Sequence, residues 1–129
     1  MKTRQALRPL LPDSRANGRA AQAMRCLPFR RAFYEWVADH PLSSKDFCQH
    51  PEASRFCRRS LNSSRVEDHW IWLIRLGVLR REVDGQGLTE RVRLTPMGRD
   101  VLQLWPGEIP RGKPPERLQH FLRRHRPRL

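Results

Sequence analysis

The chain has 129 residues, with 26 Lys and Arg against 13 Asp and Glu, and its formal charge of +13 implies long-range attraction to polyanions such as nucleic acid, an anionic surface or an acidic protein. Both ends are poor in apolar residues, so the foldable part is roughly 85 to 90 residues, enough for one modest core and not for a second domain. No run of about 18 apolar residues occurs and residues 1–18 hold no apolar signal region, so neither a membrane-spanning helix nor a secretory leader is expected, and a cytoplasmic protein is the expectation.

In chain order, residues 1–18 mix Pro9, Pro12, Asn17 and Gly18 with scattered Arg and read as a basic disordered arm. The Ala-rich stretch from Arg19 to Cys26 predicts a helix. Pro28 kinks it or opens a new one, with Phe29, Phe33, Trp36 and Val37 on one face, ended by Asp39-His40-Pro41. Ser43 or Ser44 suits the cap of a short helix through Phe47 and Cys48, and Pro51 suits the start of another carrying Phe56 and Cys57. Cys26, Cys48 and Cys57 are odd in number and lack a secretory context, so reduced thiols are expected.

The most informative stretch runs from Ser64 to Trp105. Ser64 with Glu67 reads as a capping box, in which hydroxyl and carboxylate each satisfy an orphan amide, so a helix is expected from Arg65. Val66, Trp70, Leu73 and Ile74 recur at helical spacing, and Gly77 suits the left-handed residue that closes the end. Val78 to Val83 and Leu88 to Leu94 then read as two strands joined by Asp84-Gly85-Gln86-Gly87. Leu88, Val92 and Leu94 are expected to face inward, and Thr89, Arg91 and Arg93 outward. Thr95-Pro96 opens a further helix, whose Met97, Val101, Leu104 and Trp105 form one apolar side before Pro106-Gly107 ends it. Leu118, Phe121 and Leu122, set among Arg117, Arg123, Arg124 and Arg126, predict a basic amphipathic helix over Pro115 to Arg124.

The segment Leu73-Ile74-Arg75-Leu76-Gly77-Val78-Leu79-Arg80-Arg81-Glu82, with Arg93-Leu94-Thr95-Pro96-Met97-Gly98-Arg99 after the turn, resembles the shared segment of MarR-type and PadR-type winged-helix regulators. That resemblance implies a mainly α fold with a small antiparallel β-hairpin, a winged helix-turn-helix, over residues 19–106. Residues 107–129 remain as a basic tail that includes the short helix. The turn tip departs from the pattern in carrying no basic residue. Through Cys26-Leu27-Pro28-Phe29-Arg30 and Arg80 to Thr89, the whole chain also resembles a small uncharacterised cyanobacterial family.

A winged helix of this kind is expected to bind nucleic acid, DNA ahead of RNA, as a transcriptional regulator, with a homodimer as one arrangement. Arg65, His69 and Arg75 are the expected groove readers, since guanidinium is a fixed fork of donors and imidazole both donates and accepts. Arg80, Arg81, Arg91 and Arg93 are expected to neutralise phosphates from the hairpin. Glu67 and Asp68 carry the wrong sign for that contact. Ile71 and Trp72, left near the outside, support the alternative: an interaction module that docks a protein there while its basic arms hold RNA, the ribosome or another anionic surface. His40, Cys48, His50 and Cys57 match no short zinc-binding spacing, and no nucleophile, base and carboxylate set or phosphate loop stands out. Neither enzyme activity, a metal nor a cofactor is expected.

Overall fold

A computed structural model describes residues 14–125; the expected arm over residues 1–13 lies outside them. Helix α1 spans Ser14–Cys26, so residues 14–18, expected in the arm, are its first turns. Ala20, Ala21, Ala23 and Met24 are buried, and the three small alanines let other helices come close. After Pro28 the chain is extended, and Phe29 bridges to Cys57 through Arg30 N–H to Phe56 O and Arg58 N–H to Pro28 O, both 2.8 Å. Helix α2 (Arg31–Asp39) buries Phe33, Tyr34 and Val37. Helix α3 (Ser44–Gln49) is capped by Ser43, whose hydroxyl accepts from the Asp46 amide at 3.0 Å, and α4 (Ala53–Phe56) is a single turn.

Helix α5 (Ser63–Arg75) begins earlier than the capping-box reading placed it. Asn62 is the cap, its Oδ1 accepting from the Arg65 amide at 2.8 Å, while the Glu67 carboxylate goes to Arg81 instead of back to the helix start. At the other end Gly77 has φ 88°, Gly77 N–H reaches Ile74 O at 3.0 Å and Val78 N–H reaches Leu73 O at 2.9 Å. These two bonds satisfy the terminal carbonyls and turn the chain into the hairpin.

Strands β1 (Leu79–Asp84) and β2 (Gly87–Leu94) pair antiparallel from Leu79 opposite Leu94 to Asp84 opposite Gly87, with an irregularity between Arg81 and Val83. In the turn, Asp84 Oδ1 accepts from Gln86 N–H at 2.7 Å, and Gly87 takes the positive φ of 115°. Val92 and Leu94 are buried, but Leu88 is 76% exposed. The outer half of the hairpin extends past the core, so alternation continues there with nothing to face. Leu42 adds a one-residue third strand, exchanging bonds of 3.2 and 2.9 Å with Val92. The order α2, Leu42 bridge, α3, α5, β1, β2 is that of a winged helix, with α4 and an extended segment inserted between the two helices of the helix-turn-helix.

Helix α6 (Pro96–Leu102) starts from Thr95, whose hydroxyl accepts from the Gly98 amide at 2.9 Å. It ends before Leu104, which is 55% exposed and not part of the apolar side. The core joins these parts through aromatic rings: Phe33 stacks on Trp70 at 5.7 Å and 14°, and Phe47 meets Trp70 edge-on at 5.8 Å. Helix α7 (Pro114–Arg124) packs on α1, and α1 also touches α6.

Candidate functional site

Helix α5 places its residues in three directions. Val66, His69, Trp70 and Leu73 are buried; Ser64, Asp68, Ile71 and Arg75, spaced four, three and four apart, form the open face, with Arg65 exposed beside it. Glu67 leans to the hairpin and Trp72 leans to α7. The expected pair of exposed cations on this helix, Arg65 and Arg75, therefore stands in solvent, and neither has a carboxylate partner among the described residues.

His69 does not join them. It is buried, its Nδ1 accepts from Arg124 Nη1 at 2.8 Å, and its ring meets Phe29 edge-on at 5.9 Å. Because guanidinium only donates, the imidazole proton sits on Nε2, which has no hydrogen-bond partner among the described residues. Burial first, and then the charges of Arg124, Arg59 and Arg65, hold its pKa down to about 4, so it is neutral at neutral pH. The expectation that it reads a base edge is corrected: helical spacing put it near the outside, but α7 and the Phe29 segment close over it.

The hairpin cations divide. Arg81 is paired with Glu67 and donates to Glu90 O at 2.9 Å, and Arg93 is paired with Glu82, whose carboxyl is held below its usual range chiefly by that bond. Both were expected to neutralise phosphates; each is instead neutralised within the domain. Arg80 is exposed and Arg91 half-buried, and these two have no carboxylate partner among the described residues. The Arg81 pair also offsets the charge of Glu67, so Asp68 is the carboxylate left on the open face of α5.

Helix α7 closes one flank of α5, and it docks by its polar side. Arg25 Nε donates to both Glu116 oxygens at 3.1 Å, Gln22 Nε2 donates to Gln119 at 3.1 Å, and Arg124 Nη2 donates to Asp68 O at 3.1 Å. Trp72 Nε1 donates to His120 Nε2 at 3.0 Å, which fixes the His120 proton on Nδ1. His120 is also held down to about 4 by burial and then by Arg124 and Arg123. Trp72, expected to offer itself to a partner protein, is half-buried under this helix, whereas Ile71 is 40% exposed.

Between α5 and α7 lies a cleft of about 550 Å³. It gathers Arg65 and Arg75 with Arg59, Arg117 and Arg124, three cations that the helical pattern of α5 alone could not reveal. For Arg117 and Arg124 the signal was the basic, amphipathic 115–124 stretch, but nothing in it told which side would dock. Elsewhere, His40 and His50 pack against Trp36 at 4.5 and 4.8 Å, and the Cys48 thiol donates to Leu61 O at 3.4 Å. Burial pushes the Cys26, Cys48 and Cys57 thiols up, and no group of three His, Cys, Asp or Glu side chains gathers for a metal among the described residues. No helix among those residues is long and apolar enough to cross a membrane.

The model of the Npun_F0494-like family matches residues 11–124, and the chain belongs to that family, in keeping with the whole-chain resemblance read from the sequence. No curated protein and no solved structure matches it.

Proposed function

We propose that this protein binds nucleic acid, duplex DNA ahead of RNA, as a non-enzymatic transcriptional regulator of MarR-like or PadR-like type acting in the cytoplasm. The observation that carries this is the open face of α5, where Arg65 and Arg75 are in no ion pair among the described residues, beside a paired hairpin. In a winged helix that face is the one that enters a major groove, and the hairpin lies along the backbone. Arg65 and Arg75 contact guanine edges or phosphates, and Arg80 and Arg91 contact phosphates. Arg81 and Arg93 act indirectly, by offsetting the negative charges of Glu67 and Glu82 beside the groove. With Asp68 and Ile71 central on the helix, affinity comes mainly from the backbone and is steeply salt-dependent.

Titration of the full chain with mixed-sequence duplex, single-stranded RNA and an acidic control polymer at two salt concentrations tests this. Arg65→Ala and Arg75→Ala are each expected to lower duplex affinity about tenfold, and to reduce the salt slope by about one for each phosphate that the variant leaves unneutralised. Equal binding to all three polymers, indifferent to both substitutions, leaves only unspecific charge and contradicts the proposal.

One observation favours a second reading, an interaction module. Leu118, Phe121 and Leu122 are 60%, 57% and 59% exposed on one side of α7. Loss of a bound protein or of self-association in a Leu118→Ser, Leu122→Ser double variant that keeps its fold would move weight to that reading.

A further inference from the structure

The α5–α7 cleft holds more positive charge than the fold uses. Five guanidinium groups, Arg59, Arg65, Arg75, Arg117 and Arg124, border it with a single carboxylate, Asp68. None of the five is in an ion pair among the described residues. Arg124 is half-buried, yet its bonds go to uncharged acceptors, the His69 ring and the Asp68 carbonyl. The imidazoles facing the cleft, His69, His120 and His125, offer no negative charge either. Like charges crowded into a partly enclosed space repel one another, and an anion seated among them relieves that cost. Guanidinium forks match the oxygens of a phosphate better than a point charge does.

A second property narrows the anion. The cleft is also lined by apolar and aromatic side chains, Ile71 and Trp72 of α5 and Phe121 of α7. The Trp72 N–H is already committed to His120, so the indole offers carbon surface, not a donor, to an occupant. Inorganic phosphate has no use for such surface, whereas a base stacks or packs on it. A volume of about 550 Å³ also suits a molecule of nucleotide size better than a lone ion.

We propose that the cleft between α5 and α7 binds a nucleoside phosphate, the phosphate held by Arg59, Arg117 and Arg124 and the base against Trp72 and Phe121. Two sources present that chemistry: a free nucleotide, or the 5′-phosphorylated end of a strand. The cleft adjoins the proposed duplex contact and shares Arg65, Asp68, Ile71 and Arg75 with it; Arg59, Arg117 and Arg124, which that contact does not use, set it apart. Occupancy ties α7 to α5 and therefore stabilises the folded chain.

The test uses the full chain with adenosine 5′-monophosphate, adenosine, inorganic phosphate and a short 5′-phosphorylated oligonucleotide, followed by calorimetry and by tryptophan fluorescence. The monophosphate or the oligonucleotide is expected to bind at least about tenfold more tightly than adenosine or phosphate alone. The Arg59→Ala, Arg117→Ala double variant, both positions exposed, is expected to lose about tenfold in that affinity with its thermal melt preserved. Trp72→Phe should remove the fluorescence change on binding. Tighter binding of the monophosphate identifies a free nucleotide as the source, and tighter binding of the oligonucleotide identifies a strand end. Equal affinity for monophosphate and inorganic phosphate, no saturable binding of either nucleotide form, or indifference to the double variant overturns the proposal. A chain that binds duplex in an Arg75-dependent way but takes no nucleotide loses this site and keeps the function proposed above.

Discussion

Gly98 shows how a single missing side chain holds the hairpin to the helix that follows it. A Cβ there would lie 2.5 Å from the Val78 carbonyl oxygen and 2.7 Å from Leu94 Cδ1, so α6 can approach the base of the hairpin only because the position is glycine. The Gly98→Ala variant should therefore lose about 2 to 3 kcal/mol in urea denaturation, a cost of overpacking against backbone that cannot move aside; an unchanged midpoint would show that the packing is looser. His69 and His120 make a second prediction. Both are held to about 4, below the ordinary value near 6.5, so between those two pH values the unfolded chain binds protons that the folded chain refuses. Stability is complete above about pH 6.5 and falls as the pH drops toward about 4, by on the order of 3 kcal/mol per imidazole. His120→Gln, which keeps an acceptor for the Trp72 N–H, should flatten part of that slope; a stability independent of pH across the window would contradict the burial of both rings.

At the scale of elements, residues that interact with their immediate neighbours along the chain were legible, and residues fixed by distant elements were not. The closing glycine of α5, the Thr95-Pro96 start of α6 and the paired strands follow from local chemistry, and the structure has all three. The cap of α5 fell at Asn62 because Glu67, free to reach back in an isolated helix, finds Arg81 across the hairpin. Leu88 obeys strand alternation at a height where no core exists. Helix α7 is the clearest case. Its Leu118, Phe121 and Leu122 pattern implies docking by the apolar side, yet the side that docks is Glu116, His120 and Arg124, each matched to a specific partner on α1 or α5. Urea denaturation distinguishes the two arrangements: Leu118→Ser with Leu122→Ser should change stability by no more than about 0.5 kcal/mol, as for surface positions. His120→Ala, by contrast, should cost about 1 to 3 kcal/mol, because the half-buried Trp72 N–H loses its acceptor. The opposite ranking would mean that α7 packs the other way round.

Over the whole molecule, the charge of +13 was visible at once, but its useful distribution was not. Ion pairs within the domain consume Arg25, Arg31, Arg55, Arg81 and Arg93, whereas Arg65 and Arg75 on the open face of α5 and Arg59, Arg117 and Arg124 at the cleft are in no such pair among the described residues. The residues that line the cleft come from four separated stretches of chain, 26–28, 59, 65–75 and 117–125, which periodicity within any one of them cannot bring together. The most direct test of the proposed duplex interface is an amide NMR titration of the full chain with duplex DNA at near-physiological salt, about 0.15 M, where long-range attraction is largely screened. Shifts are predicted to cluster on Ser64, Arg65, Asp68, Ile71 and Arg75 and on the hairpin around Arg80 and Arg91. Shifts confined to residues 1–13 and 126–129, with α5 unmoved, would contradict it.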